Sequence, residues 1–69
     1  ELVRDEVQQT LQAALAALSD DLRMAITLRE LEGMSYEEIA EVMDTPIGTV
    51  RSRIFRAREA IAKQLVAAA

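Results

Sequence analysis

The sequence contains no cysteine, no histidine and no tryptophan. Without cysteine and histidine, disulfide frameworks, thiolate zinc sites and histidine-based catalysis are excluded. Aromatic residues make up only 3% of the 69 positions and there is a single proline, whereas 12 positions are alanine. This composition favours a compact helical domain and is unfavourable for a β-sandwich.

Long apolar segments are also missing. No apolar run approaches the roughly 20 residues that a membrane-spanning helix requires, and no signal-peptide core opens the chain. A chain of 69 residues forms at most one small domain. We therefore expect a cytoplasmic, all-α domain that does not insert into a membrane.

The charges are unevenly distributed along the chain. Residues 1–50 carry 11 acidic and three basic side chains, a net charge of -8, while residues 51–69 carry five basic side chains against Glu59 alone, a net charge of +4. These two values sum to the formal net charge of -4. One basic element can therefore bind a polyanion although the whole chain is acidic.

The pattern of apolar residues and capping residues predicts four helices. The first runs from Glu1 to Leu18, with apolar residues three and four positions apart. The second begins after the N-cap residue Ser19 and ends near Glu32, where Gly33 supplies a left-handed stop. Because the first helix starts without a cap, we expect residues 1–69 to form one domain of a larger protein.

The third helix is predicted to be short and the fourth long. Ser35 and Glu38 form a capping-box pattern, and the third helix is expected to end near Asp44. Thr45 is the predicted N-cap of the fourth helix, with Pro46 at its first position. The buried face of the third helix is predicted to contain Tyr36, Ile39, Ala40 and Met43, and the fourth helix is expected to reach about Val66.

Residues 35–58 have the plan of a helix-turn-helix, in which the second helix lies in the DNA major groove. The predicted turn covers about four residues, 44–47, and Asp44 stands where a glycine is common. Aspartate tolerates the left-handed geometry of such a turn. Ala40 is small where the two helices approach each other, and the predicted wedge between them consists of Ile39, Met43, Ile47 and Val50.

A helical wheel separates two faces of the fourth helix. The core stripe is predicted to contain Val50, Ile54, Ala57, Ile61 and Leu65. Phe55 lies off this stripe, beside arginines. Arginine can bind guanine, serine can donate or accept a hydrogen bond, and phenylalanine can contact a thymine methyl group. The predicted base-reading surface therefore consists of Arg51, Ser52, Phe55 and Arg56.

Each of these residues also has an ordinary structural explanation. The arginine face could be a solvated helix surface, and Phe55 could pack under the first helix. Tyr36 is expected to be a partly buried residue with its hydroxyl near a phosphate rather than a catalytic group. Acidic residues of the third helix could suggest paired carboxylates, but a solvated face explains them better; they are Glu37, Glu38 and Glu41.

Two long stretches resemble region 4 of bacterial sigma factors of the extracytoplasmic-function group, and are closest to the sigma-E (envelope stress) branch. The first is Asp21–Ala40, DLRMAITLRELEGMSYEEIA, and the second is Gly48–Glu59, GTVRSRIFRARE. Both occur in the expected order and spacing, and the resemblance covers roughly residues 11–63. It implies a domain that binds double-stranded promoter DNA at the -35 element, typically GGAAC-like, without cofactor or metal. It also implies two protein partners, the β flap of the RNA polymerase core and a membrane-bound anti-sigma factor.

The resemblance also implies roles for individual residues. Contacts to bases and phosphates are expected from the arginine-rich fourth helix. We assign Arg53 to a phosphate because it lies on the opposite edge of the outward face from Arg51 and Phe55. Arg23 is a weaker phosphate candidate. Gly48 is expected to let the backbone approach DNA, and Thr45 with the helix N-terminus to offer amides to a phosphate. Further contacts at the backbone or groove edge are expected from Tyr36, Glu37 and Thr49.

Three other classes of protein share some features with this sequence. A LuxR-type output domain shares the pattern Glu38-Ile39-Ala40 and Gly48-Thr49-Val50-Arg51, but the continuation at residues 55–59 matches the sigma pattern better. A helical protein-interaction module would use the acidic part of the chain and would not read DNA. An enzyme is disfavoured because the sequence has no phosphate-cradling glycine loop and no carboxylate pair in an apolar pocket.

Overall fold

A computed structural model describes the backbone of residues 2–68 and the side-chain environments of residues 4–68. Residues 2–68 contain four helices and no strand, which confirms the predicted all-α, four-helix class. The predicted start of the first helix at Glu1 lies outside the described residues. The helices are α1 (Leu2–Ala17), α2 (Asp20–Glu30), α3 (Tyr36–Val42) and α4 (Ile47–Ala68).

Helix α2 begins and ends close to its predicted bounds. The Ser19 hydroxyl oxygen accepts a hydrogen bond from the Leu22 amide at 3.4 Å, so Ser19 is the N-cap as expected. At the other end Gly33 adopts a φ of 69°, and the Met34 amide donates to the Leu28 carbonyl at 3.1 Å. This is the arrangement by which a left-handed residue closes a helix, and it stops α2 two residues earlier than predicted.

Hydrogen bonds at both ends of the short helix α3 define where it begins and where it ends. The capping box is confirmed, because the Ser35 hydroxyl oxygen accepts from the Glu38 amide at 3.1 Å and the Glu38 carboxylate accepts from the Ser35 amide at 2.8 Å. Asp44 follows the helix with a φ of 51°, in the left-handed geometry expected of it. The Thr45 amide then donates to the Ala40 carbonyl at 2.9 Å and closes the helix.

The predicted N-cap of α4 is wrong. The Thr45 hydroxyl donates to the Met43 carbonyl at 2.9 Å, and no amide in the first turn of α4 donates to its oxygen. Helix α4 begins instead at the Pro46 carbonyl, which accepts from the Val50 amide at 3.2 Å. The connection is short, so the Thr45 side chain turns back to the end of α3, only one residue before the carbonyl that begins α4.

Helix α4 is the centre of the domain, because α1, α2 and α3 all pack against it. Ile39, Val50 and Ile54 are the largest fully buried side chains, and they join α3 to α4. The predicted stripe on α4 is thus confirmed, with Ile61 and Leu65 half-buried towards its C-terminal end. The remaining members of the core cluster are Leu18, Ala25, Ile26 and Ala57.

Helices α1 and α4 run antiparallel. Residues 9–13 line the same groove as residues 64–68, whereas Leu18 at the other end belongs to the central core. Val7 follows the apolar spacing of α1, but 50% of its surface is exposed.

Candidate nucleic-acid interface

The side of α4 that faces away from the core carries the predicted base-reading residues. Arg51, Ser52 and Arg56 are exposed, and Phe55 is 66% exposed. The alternative in which Phe55 packs under α1 is therefore excluded. The buried stripe beginning at Val50 fixes the rotation of α4, so these four side chains share one surface.

Tyr36 lies at the edge of this surface, at the first position of α3. It is half-buried against the core cluster, and its ring has two arginine neighbours. The guanidinium carbon of Arg29 lies 5.0 Å from the ring centroid, and that of Arg51 lies 5.8 Å from it. Both distances are in the range of favourable cation–π contacts. The structure thus brings two predicted site residues, Tyr36 and Arg51, into contact.

The sequence reasoning missed Arg29. This residue belongs to α2, and its Nη1 donates to the Met34 carbonyl at 2.8 Å, in the connection to α3. No local motif marks it, because its contact with Tyr36 depends on how the α2–α3 connection folds back. Its only sequence signal is its place in the last turn of a helix that ends at a left-handed glycine.

The first turn of α4 and the start of α3 present the remaining groove-edge candidates. Gly48 is exposed, and no neighbouring atom lies within 4 Å of the point where a Cβ would sit. Thr49 is half-buried, whereas Glu37 is exposed in the first turn of α3. Gly48 and Thr49 directly follow the short turn, whereas Glu37 lies at the other end of α3.

Arg23 is occupied inside the protein. Its Nη1 lies within hydrogen-bond distance of the carbonyls of Leu15 (3.4 Å), Ala16 (3.3 Å) and Leu18 (2.9 Å), and its Nη2 pairs with Asp20. These carbonyls lie at the end of α1 and just beyond it, where helical partners become scarce. Arg23 thus caps the C-terminal end of α1, and a phosphate contact would have to compete with these hydrogen bonds.

Two arginines of α4 also have acidic partners on α2. Arg53 is half-buried, and its Nη2 lies 3.5 Å from an Asp21 carboxylate oxygen. Arg58 donates to Glu30, and this hydrogen bond raises the pKa of the Arg58 guanidinium above its ordinary value. Both pairs connect α4 to α2, so neither arginine points away from the core as Arg56 does.

The acidic residues of α3 lie on its solvent-exposed surface. Glu37, Glu38 and Glu41 are exposed, which supports the solvated-face interpretation. No group of three or more potential metal ligands occurs within residues 2–68. In the same part of the chain, none of the helices combines the length and apolar character needed to cross a bilayer.

Residues 8–61 match the family described as Sigma-70, region 4. The chain belongs to this family. The match covers α2, α3 and most of α4, including the four predicted base-reading residues. The family assignment agrees with the resemblance of Asp21–Ala40 and Gly48–Glu59, and it favours a sigma-factor domain over the LuxR-type alternative.

Members of the region 4 family with high identity to this chain are themselves sigma factors. The RNA polymerase sigma-H factor of Pseudomonas aeruginosa is 61% identical over 64 residues, which are 93% of this chain and 33% of that protein. The ECF RNA polymerase sigma-E factors of Salmonella typhimurium and Escherichia coli (strain K12) are 63% identical over 60 residues, covering 87% of this chain and 31% of each relative. The chain thus spans about a third of the length of the curated relatives that it matches.

Proposed function

We propose that this chain is the promoter-reading domain of an RNA polymerase sigma factor and that α4 reads a GGAAC-like -35 element in double-stranded DNA. One observation carries the proposal. A domain with a small core leaves its only phenylalanine 66% exposed, on the same face as Arg51 and Arg56. An exposed apolar side chain among cationic ones is suited to a partner that offers both apolar and anionic groups, as the major groove does.

The base-reading roles follow from the chemistry of each side chain. Arg51 and Arg56 can each donate two hydrogen bonds to O6 and N7 of a guanine. Ser52 can donate to or accept from a base edge, and Phe55 can contact a thymine methyl group. Each good bidentate contact contributes about 1–3 kcal/mol of discrimination against a wrong base.

Contacts at the DNA backbone would come from the turn and its neighbours. Gly48 has open space around it, so nothing in the described chain explains a glycine there, whereas close approach of the backbone to a phosphate does. The first amides of α4 have no helical partners and can bind a phosphate. Thr45 leaves this set, because its amide and hydroxyl are both used within the protein. The candidates that remain beside Gly48 are Glu37, Thr49 and Arg53, whereas Tyr36 is half-buried against the core at the edge of the same surface.

The proposed protein partners would use another side of the domain. Helices α1, α2 and α4 line a partly open apolar cavity of about 230 Å³, whose apolar lining consists of Leu11, Leu15, Ile26, Leu31 and Ile61. Leu31 at its edge is 75% exposed, and Met24 on the same helix is 52% exposed. We propose that the β flap of the RNA polymerase core binds this apolar surface and that an anti-sigma factor competes for the domain.

The proposal assigns binding, and no catalytic step, to this chain. Because promoter DNA and RNA polymerase are cytoplasmic in bacteria, we propose that the domain acts there. Support comes from the family match and from the names of the relatives, which are RNA polymerase sigma factors.

Fluorescence anisotropy with a GGAAC-containing duplex and a scrambled duplex tests the proposal. We expect Arg56→Ala to lose about five- to 150-fold in affinity for the GGAAC duplex, the equivalent of one bidentate guanine contact. The fold should be retained, because Arg56 is exposed. Circular dichroism of the variant checks this.

Arg4→Ala is the matched control, because Arg4 is an exposed arginine on α1. It should bind both duplexes as the unchanged chain does. If Arg56→Ala remains folded and keeps its full affinity, Arg56 reads no base. That result favours a helical protein-interaction module that uses the acidic part of the chain.

A further inference from the structure

We propose that Tyr36 is a positioning residue for Arg51, that Arg29 holds Tyr36 in place, and that this Arg29–Tyr36–Arg51 stack increases the base selectivity of Arg51. The inference rests on the proposed function, since it concerns the same DNA-reading face. It goes further by giving Arg29 a role and by giving Tyr36 one that does not depend on a phosphate contact.

The stack joins three helices. Arg29 ends α2, Tyr36 begins α3 and Arg51 lies in the second turn of α4. The Arg29 end is fixed twice, by its hydrogen bond to the Met34 carbonyl at 2.8 Å and by its contact with the Tyr36 ring. Arg51 is the exposed member, so the fixed part of the stack lies on the protein side.

The Tyr36 ring has little freedom of its own. It packs against the core cluster, and the capping box of Ser35 and Glu38 holds the backbone that carries it. A half-buried ring on a capped helix is a rigid support, whereas an exposed arginine side chain samples many rotamers. Contact with the ring restricts Arg51 before DNA arrives, and a restricted side chain loses less freedom on binding.

The geometry separates this role from ordinary electrostatic attraction. Replacing Tyr36 leaves the formal net charge and the number of cations available to phosphates unchanged. Loss of the ring should therefore weaken recognition of the correct sequence and leave sequence-independent binding unchanged. A phosphate contact through the Tyr36 hydroxyl would instead affect every DNA sequence alike.

The first test measures Tyr36→Leu and Tyr36→Phe against the GGAAC duplex, single-base variants of it and a scrambled duplex. We expect Tyr36→Leu to lose about two- to fivefold of the preference for GGAAC, the size of one exposed cation–π contact. Tyr36→Phe keeps the ring and should keep the preference. Neither variant should alter affinity for the scrambled duplex or the salt dependence of binding.

A double-mutant cycle identifies the partner of the ring. In an Arg51→Ala background, Tyr36→Leu should have no further effect, because the side chain that it positions is gone. In an Arg56→Ala background the two losses should multiply. Arg29→Gln should reproduce part of the loss in preference, and Arg4→Gln, which removes the same charge from an exposed site on α1, should not.

An NMR measurement on the free protein tests the stack without DNA. The Arg51 Nε–Hε signal should show a ring-current shift that Tyr36→Phe retains and Tyr36→Leu removes. If that shift is absent from the unchanged chain, the stack does not exist in solution and the inference is overturned. This measurement also decides the question if Tyr36→Leu does not fold.

The binding results separate the two proposals. If the unchanged chain prefers GGAAC but Tyr36→Leu prefers it equally or more strongly, the stack does not assist recognition and only this inference fails. If the unchanged chain has no preference, the proposed function fails and the inference fails with it. A selective loss in Tyr36→Leu, with the preference retained in Tyr36→Phe, supports both.

Discussion

The arginine side chains of this domain have different roles, and the groups around each side chain determine its role. Arg23 donates to backbone carbonyls at the end of α1, and Arg58 pairs with Glu30 on α2. Arg56, two positions before Arg58, is exposed on the opposite side of α4 from the core. An exposed arginine such as Arg56 can replace its bound water with a base edge without breaking a hydrogen bond inside the protein.

Arg23→Ala is predicted to destabilise the fold rather than to weaken DNA binding directly. The substitution leaves the last carbonyls of α1 without their guanidinium donor. Charge-assisted hydrogen bonds of this kind contribute up to about 3 kcal/mol, and partial exposure of Arg23 reduces the expected loss to about 1–2 kcal/mol. Urea unfolding followed by circular dichroism measures this change. Arg4→Ala should change the free energy of unfolding by less than about 0.5 kcal/mol, and an equal effect of both substitutions would contradict the capping role.

At the scale of elements, the turn between α3 and α4 determines the direction of the candidate recognition helix. Asp44 occupies the left-handed position, its amide donates to the Glu41 carbonyl at 3.2 Å, and the Thr45 amide donates to the Ala40 carbonyl at 2.9 Å. The connection at Gly33 closes α2 with a similar pattern. A residue other than glycine with positive φ is strained, and aspartate is among the residues that tolerate it best.

Substitutions at Asp44 test this turn. Asp44→Gly should change the free energy of unfolding by less than about 1 kcal/mol, because relief of left-handed strain and greater freedom of the unfolded chain oppose each other. Asp44→Val should destabilise the domain by about 1–3 kcal/mol, because a β-branched residue is strongly disfavoured at positive φ. Thermal unfolding of the two variants side by side gives the comparison. Equal stability would mean that the left-handed turn is not maintained in solution.

At the scale of the whole molecule, an acidic chain carries one basic helix. Residues 1–50 have a net charge of -8 and residues 51–69 one of +4. Pairs such as Asp21 with Arg53 neutralise part of that helix on its inner side. The outer side keeps Arg51 and Arg56 exposed, so the domain can attract DNA locally while the acidic remainder opposes close approach elsewhere.

Salt dependence should therefore report how many cations reach phosphates. If Arg53 leaves Asp21 for a phosphate in the complex, Arg53→Gln should reduce the slope of log K against log salt by about 1. Anisotropy titrations from low to moderate salt provide the slopes. Lys63→Gln, which removes a charge about 10 Å further along α4 than Arg56, is the control and should leave the slope unchanged. An unchanged slope for Arg53→Gln would show that Arg53 remains a structural partner of Asp21.

Much of this architecture was predictable because its signals are local in sequence. The apolar spacing along α4 gave its buried stripe, and the Ser35–Glu38 pattern gave the start of α3, since both depend on residues within a turn or two of each other. The wheel of α4 likewise placed Phe55 outside the core. The N-cap of α4 was predicted wrongly because two helix ends compete for Thr45, and sequence patterns treat each end separately.

The sequence by itself determined the helices, the segregated charge and the outward face of α4, because periodicity and capping act over a few residues. Only the tertiary structure decided what Arg23, Arg29 and Arg53 contact, since those partners lie on other helices or beyond a turn. A side chain with a long reach and several donors takes the partner that the packing of helices brings to it. For Arg53 and Arg58, whose acidic partners lie on another helix, that partner is not encoded in the neighbouring sequence.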